Sequence, residues 1–105
     1  MDWLFLFIAS IFEIGWPIGM KMASISPYKI LWLLFAIITM IFSGYFLYLA
    51  QRTIPIGIAY VIWTGFAASI TFLIGVYIFH DPISLIRVLG VLFVIVGIIL
   101  LGLCN

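Results

Sequence analysis

The sequence predicts an all-α membrane protein of four transmembrane helices with almost no mass outside the bilayer. Three observations carry this. Of 105 residues, 69% are hydrophobic and 7% are charged, whereas a soluble domain carries about 25% charged residues. Mean hydropathy is +1.51. Apolar runs long enough for ~30 Å of hydrocarbon recur four times, at about 3–20, 30–50, 57–79 and 84–103, with short polar or proline-bearing connectors between them. No stretch is suited to folding as a separate soluble unit, so residues 1–105 form a single domain. The net charge of +1 comes from scattered side chains, with no basic patch for nucleic acid. The one cysteine, Cys104, excludes an internal disulfide, and one histidine without a partner cysteine excludes a metal cluster. No cofactor motif is present.

The first span begins at Trp3, which suits one membrane interface, and ends near Lys21, which suits the other. Its start lacks a positive region and no A-x-A-like site follows, so it is expected to be retained rather than cleaved. Ala9, Glu13, Trp16 and Met20 fall at i, i+4, i+7 and i+11 and share a face. Ala9, Ser10, Gly15 and Gly19 are small enough to admit another backbone. Glu13 is the one acidic residue far from the ends of any apolar run. A carboxylate near a bilayer centre costs at least ~2.5–3.5 kcal/mol on insertion scales. It therefore reads as an ion or substrate site facing a wet cavity. The alternative is a protonated group that only hydrogen-bonds a neighbouring helix. Pro17 lies four residues on and removes the hydrogen bond to the Glu13 carbonyl. It either exposes that oxygen at a kink or only bends the helix for packing.

Ser24 to Pro27 connect to the second span, opened by Tyr28 and Lys29. Ser43-Gly44 is its one small polar break. Ser43 can donate to a buried carboxylate, although a serine in a helix more often bonds its own i−4 carbonyl. Gln51 and Arg52 mark the exit. Thr53 to Gly57 form a tight turn into the third span, where Tyr60, Trp63 and Ala67 share a face. Trp63 lies too deep for an interfacial belt, so its N–H needs a partner, and Glu13 is the obvious one. Asp81-Pro82 reads as the N-cap and first residue of the last helix, and His80 as interfacial. In the last span Gly90 and Gly97 lie seven apart on one face and favour a close helix contact, read here as intermolecular.

Topology is weakly specified. Lys21, Lys29 and Arg87 fall on one side, and Arg52 with the terminal amine on the other. The positive-inside bias nearly cancels, so both orientations are accessible.

These residues resemble the small multidrug resistance transporters from end to end. The motifs are the glutamate in IFEIGWPIGMK, the segment IPIGIAYVIWTG (Ile54 to Gly65) and the GVLFVIVG spacing of the last helix. Trp16, three residues after the glutamate, is similar to the guanidinium-exporter branch. The resemblance implies a multi-pass protein of the bacterial cytoplasmic membrane and an antiparallel, dual-topology homodimer. It implies that Glu13 of both subunits shares one site for protons and small cations, surrounded by Trp16, Ser43, Tyr60 and Trp63, with Ala9 and Ser10 lining the pocket. It implies a third helix that bends near Gly65 and a dimer contact at Gly90 and Gly97. Three positions depart from the family pattern. Ala67 replaces a common second glycine, Ser10 stands where guanidinium exporters commonly have glycine, and Pro17 is atypical.

The expected activity is proton-coupled export of guanidinium and substituted guanidinium compounds. Two other readings differ in class or substrate. One is a promiscuous exporter of quaternary ammonium and other hydrophobic cations, which Trp16 disfavours. The other is a non-transporting subunit of a heteromeric complex, in which an ionisable Glu13 has no purpose. A paired, heteromeric transporter also fits one sequence. An enzyme fits poorly, because no nucleophile–base pair is present.

Overall fold

The computed structural model describes residues 2–104, in four helices: α1 (Asp2–Ile25), α2 (Lys29–Ala50), α3 (Ile56–Tyr77) and α4 (Leu85–Cys104). Each is long and apolar enough to cross a membrane. At 1.5 Å per residue the shortest spans roughly 30 Å, the thickness of the hydrocarbon core.

Packing runs in the order α2, α1, α3, α4. Helix α1 is the centre: it packs most extensively against α2, then against α3, while among the described residues α4 touches α3 alone. The result is a slab of 44 × 34 × 16 Å. A helix with its side chains is about 10–12 Å across, so the slab is barely more than one helix thick. One face of nearly every helix is left open.

What is buried follows from that geometry. The buried positions are mostly small: Ala9, Ser10, Gly19, Ala23, Ala36, Thr39, Ser43, Ala59, Ala67, Ser69 and Gly75. Lipid solvates large apolar side chains as well as a core does, so helices approach where side chains are smallest. A Cβ on Gly15 would stand 2.7 Å from Thr39 Cγ2, and one on Gly19 3.1 Å from the Trp32 carbonyl oxygen. A side chain at either position would press on α2, so the two glycines set the close α1–α2 approach. The one conventional cluster, Leu6, Ala50, Ile54 and Ala59, lies where the start of α1 meets the α2–α3 turn. There the Thr53 hydroxyl donates to the Asp2 carboxylate.

Several element ends differ from expectation. Helix α1 continues five residues past Met20, to Ile25. Ser24 Oγ donates to the Lys21 carbonyl at 2.6 Å, and the helix stops only where Pro27 bars the residue before it from helical geometry. Pro17 lies inside an uninterrupted helix. The Asp81-Pro82 cap is overturned. Helix α4 begins at Leu85, and Ser84 Oγ accepts from the Arg87 N–H at 3.2 Å. Asp81 instead belongs to the end of α3, where its N–H donates to the Gly75 carbonyl at 2.9 Å. His80, in the left-handed region at φ 57°, turns the chain back to make that bond.

Candidate functional site

The site forms where α1, α2 and α3 converge on the Ala9–Glu13 turn. Ser43 is fully buried. Its hydroxyl lies 2.9 Å from the Ala9 carbonyl oxygen and 3.4 Å from Glu13 Oε1. The usual preference of a helical serine for its own i−4 carbonyl is reversed here. Ser43 reaches across to α1 because Gly15 and Gly19 bring the two helices together. Ser10 keeps the usual behaviour and donates to Leu6 O at 3.0 Å.

Trp63 completes the chain of bonds from α3. Its Nε1–H donates to Ser43 Oγ at 2.9 Å, with the Ala9 carbonyl oxygen at 3.3 Å. The direct bond to Glu13 that the sequence suggests is not made, and Trp63 reaches that carboxylate only through Ser43. A hydroxyl has a single proton and two lone pairs. With Trp63 occupying a lone pair, the Ser43 proton is directed either at Ala9 or at Glu13. Serine is thus a two-position rotor beside the carboxylate. Trp16 follows Glu13 by three residues on α1, close to one helical turn. Tyr60 packs against Trp63 with the rings tilted by 57° and their centroids 5.4 Å apart, but is itself more than half exposed. Tyr60 therefore borders the group and faces outward.

Beyond the carboxylate lies a cavity of about 380 Å³, lined by Glu13, Pro17, Thr64, Ala67, Ala68 and Thr71. The α3 wall residues sit at i, i+3, i+4 and i+7, a stripe of small and hydroxyl-bearing side chains. Thr64, Ala68 and Thr71 are additions that the sequence reading misses. Their signal is that stripe, which marks a face of α3 too small to fill the space opposite Glu13. Ala9 lies behind the carboxylate and contributes its carbonyl. Ser10 lines a separate apolar recess with Trp3, Leu6, Phe7, Ile62 and Phe66.

The glycines outside the site divide into two kinds. A Cβ on Gly65 would meet Ile98 Cδ1 at 2.8 Å, so Gly65 lets α4 dock on α3, and α3 is helical without a break through it. A Cβ on Gly90 or Gly97 would meet nothing within 4 Å, so both face open space on α4. Among the described residues no group of His, Cys, Asp and Glu has the arrangement to hold a metal ion.

A family model described as Small Multidrug Resistance protein matches residues 1–101. Among curated proteins, a guanidinium exporter of Proteus vulgaris is 34% identical over the full length of both chains. A guanidinium exporter of Yersinia pseudotuberculosis is 32% identical, again over both full lengths. One from Citrobacter freundii is 34% identical over 94% of this chain and 93% of its own. The four spans and these bacterial relatives make the chain a multi-pass protein of the bacterial inner membrane.

Proposed function

The chain belongs to the Small Multidrug Resistance family, and on that premise we propose that it exports guanidinium and small substituted guanidinium ions in exchange for protons. The observation that carries this is an intramembrane carboxylate, Glu13, held beside Ser43 and Trp63 and open to a cavity of about 380 Å³.

A guanidinium ion is planar and offers paired N–H donors, which one carboxylate accepts side by side. It has no acceptor, so every group that meets it must accept or present a π-face. Glu13 supplies the acceptor. Trp16, Trp63 and Tyr60 supply faces, each worth ~0.5–2 kcal/mol to a cation. The Ser43 rotor reports the state of the carboxylate. It donates to Glu13 when the carboxylate is charged and to Ala9 when a proton sits on Glu13. Cation and proton thus compete for one group, which is the minimum requirement for exchange.

The slab leaves Glu13 on an open face, and a second subunit closes it. In the proposed antiparallel homodimer the two Glu13 carboxylates face one cavity and titrate as a pair. Gly90 and Gly97, open on α4, receive the partner, and α1 at Pro17 and α3 at Gly65 supply the bending for alternating access. The balanced flanking charges suit subunits inserted in both orientations. A heteromeric pair uses the same closure with a different second chain.

The test is current from purified protein on a solid-supported membrane under a pH gradient. Guanidinium evokes current, and Glu13→Gln abolishes it while the protein stays folded and dimeric. A Glu13→Gln variant that still exchanges protons for guanidinium refutes the mechanism. Equal currents with a bulky tetraalkylammonium ion replace guanidinium selectivity with broad cation export, for which the small Ala67 and Ala68 wall leaves room.

A further inference from the structure

A second cavity, of about 180 Å³, lies against the first along the α1–α3 groove. Its lining includes Lys21, Gly75, Asp81 and, shared with the Glu13 cavity, Pro17 and Thr71. On α1, residues 13, 17 and 21 follow one another at four-residue spacing. On α3, residues 64, 68, 71 and 75 do the same at four- and three-residue spacing. The two stripes run side by side from Glu13 toward the α3–α4 connection. The axial length from Glu13 to Lys21 is about 12 Å.

The far end of this groove is built around one side chain. Asp81 is brought back onto α3 by the left-handed turn at His80 and the bond from its N–H to the Gly75 carbonyl. Its carboxylate occupies the place a side chain on residue 75 would take: a Cβ there would stand 2.5 Å from Asp81 Oδ2. The Arg87 side chain is engaged elsewhere, donating from Nη1 to the Pro82 carbonyl at 2.7 Å. Thr71, at the junction, differs from its neighbours. Thr64 and Ser69 donate to the Tyr60 and Gly65 carbonyls of their own helix at 2.7 and 2.8 Å. Thr71 makes no such bond among the described residues.

We propose that the α1–α3 groove is the aqueous route between Glu13 and one membrane face, and that Asp81, seated in the notch left by Gly75, is the positioning residue that favours cations at its mouth. Lys21 on the opposite wall acts against it, so the mouth is tuned by the difference between the two. Thr71 marks the neck, where an ion passes from one cavity to the other. The identity of the travelling ion rests on the function proposed above; the route and its charge preference rest on the geometry alone.

The experiment places a single thiol at the neck, Thr71→Cys in a Cys104→Ser background. It measures modification rates in proteoliposomes with a cationic and an anionic methanethiosulfonate reagent of matched size. The carboxylate lies about one helical turn from position 71. At that distance and ordinary salt, removing its charge lowers the cation-to-anion rate ratio about three- to ten-fold. Asp81→Asn and Gly75→Ala, which displaces the carboxylate from its notch, both give this fall, and Lys21→Gln gives a rise. A thiol that reacts with neither reagent overturns the route. A ratio indifferent to Asp81→Asn in protein that remains monodisperse overturns the role of Asp81. Guanidinium currents from the same vesicles, measured before modification, decide the export reading separately.

Discussion

Replacing Ser43 by alanine removes one oxygen and disturbs three bonds, the first being the hydroxyl's own 2.9 Å contact with the Ala9 carbonyl oxygen. Glu13 Oε1 loses the hydroxyl 3.4 Å away, and Trp63 Nε1 loses its 2.9 Å acceptor, keeping the Ala9 carbonyl oxygen at 3.3 Å. A hydrogen bond to a charged group is worth about 1.5–3 kcal/mol, but 3.4 Å is beyond its best range. Intramembrane hydrogen bonds average about 0.6 kcal/mol and reach about 1.7. The indole keeps a partner, so no buried N–H is orphaned. The expected loss is therefore about 1–1.5 kcal/mol, which raises the half-saturating guanidinium concentration about five- to twelve-fold. The assay is the concentration dependence of guanidinium-evoked current, with tryptophan emission as a check on the indole. Ser43→Cys, which keeps a weak donor of similar shape, falls between the two. Half-saturation within two-fold of the parent in folded Ser43→Ala protein refutes the idea that Ser43 orients the carboxylate.

Two further predictions concern packing. Gly15→Ala sets a methyl 2.7 Å from Thr39 Cγ2 and should destabilise the α1–α2 pair by about 1–3 kcal/mol. Gly44→Ala, with nothing within 4 Å, should be neutral or slightly favourable, and thermal unfolding in detergent distinguishes them. Gly97→Leu, on an open stretch of α4, should weaken self-association without altering helix content, as read by cross-linking in bilayers and circular dichroism.

The spans are legible in the sequence because hydropathy and length dictate them, and Glu13 stands out because of its isolation in apolar sequence. The grouping of Ser43 and Trp63 near it follows from the need of buried donors for acceptors. Their order does not. Whether a helical serine bonds its own turn or a neighbour depends on how closely that neighbour approaches, and this is set by Gly15 and Gly19 at another point of α1. The α3 wall is silent for a related reason. Thr64, Ala68 and Thr71 carry no charge and matter only through the space they leave. Asp81 reads as part of the wrong helix because Asp-Pro is a good cap in isolation. The missing side chain at Gly75 and the Ser84 hydroxyl, each a few residues away, together move it to the end of α3.

Among the described residues helix α4 touches only α3, seated by Gly65 beneath Ile98, and the groups that build the Glu13 site lie between Ala9 and Thr71. Synthesis delivers the helices in that order. The ensemble of carboxylate, rotor and indole can therefore assemble in the membrane while α4 is still emerging from the ribosome. The last helix arrives at an assembled cluster of side chains and adds a surface beside it. Lesions in α4 should accordingly leave the bonds that join Ala9, Glu13, Ser43 and Trp63 in place.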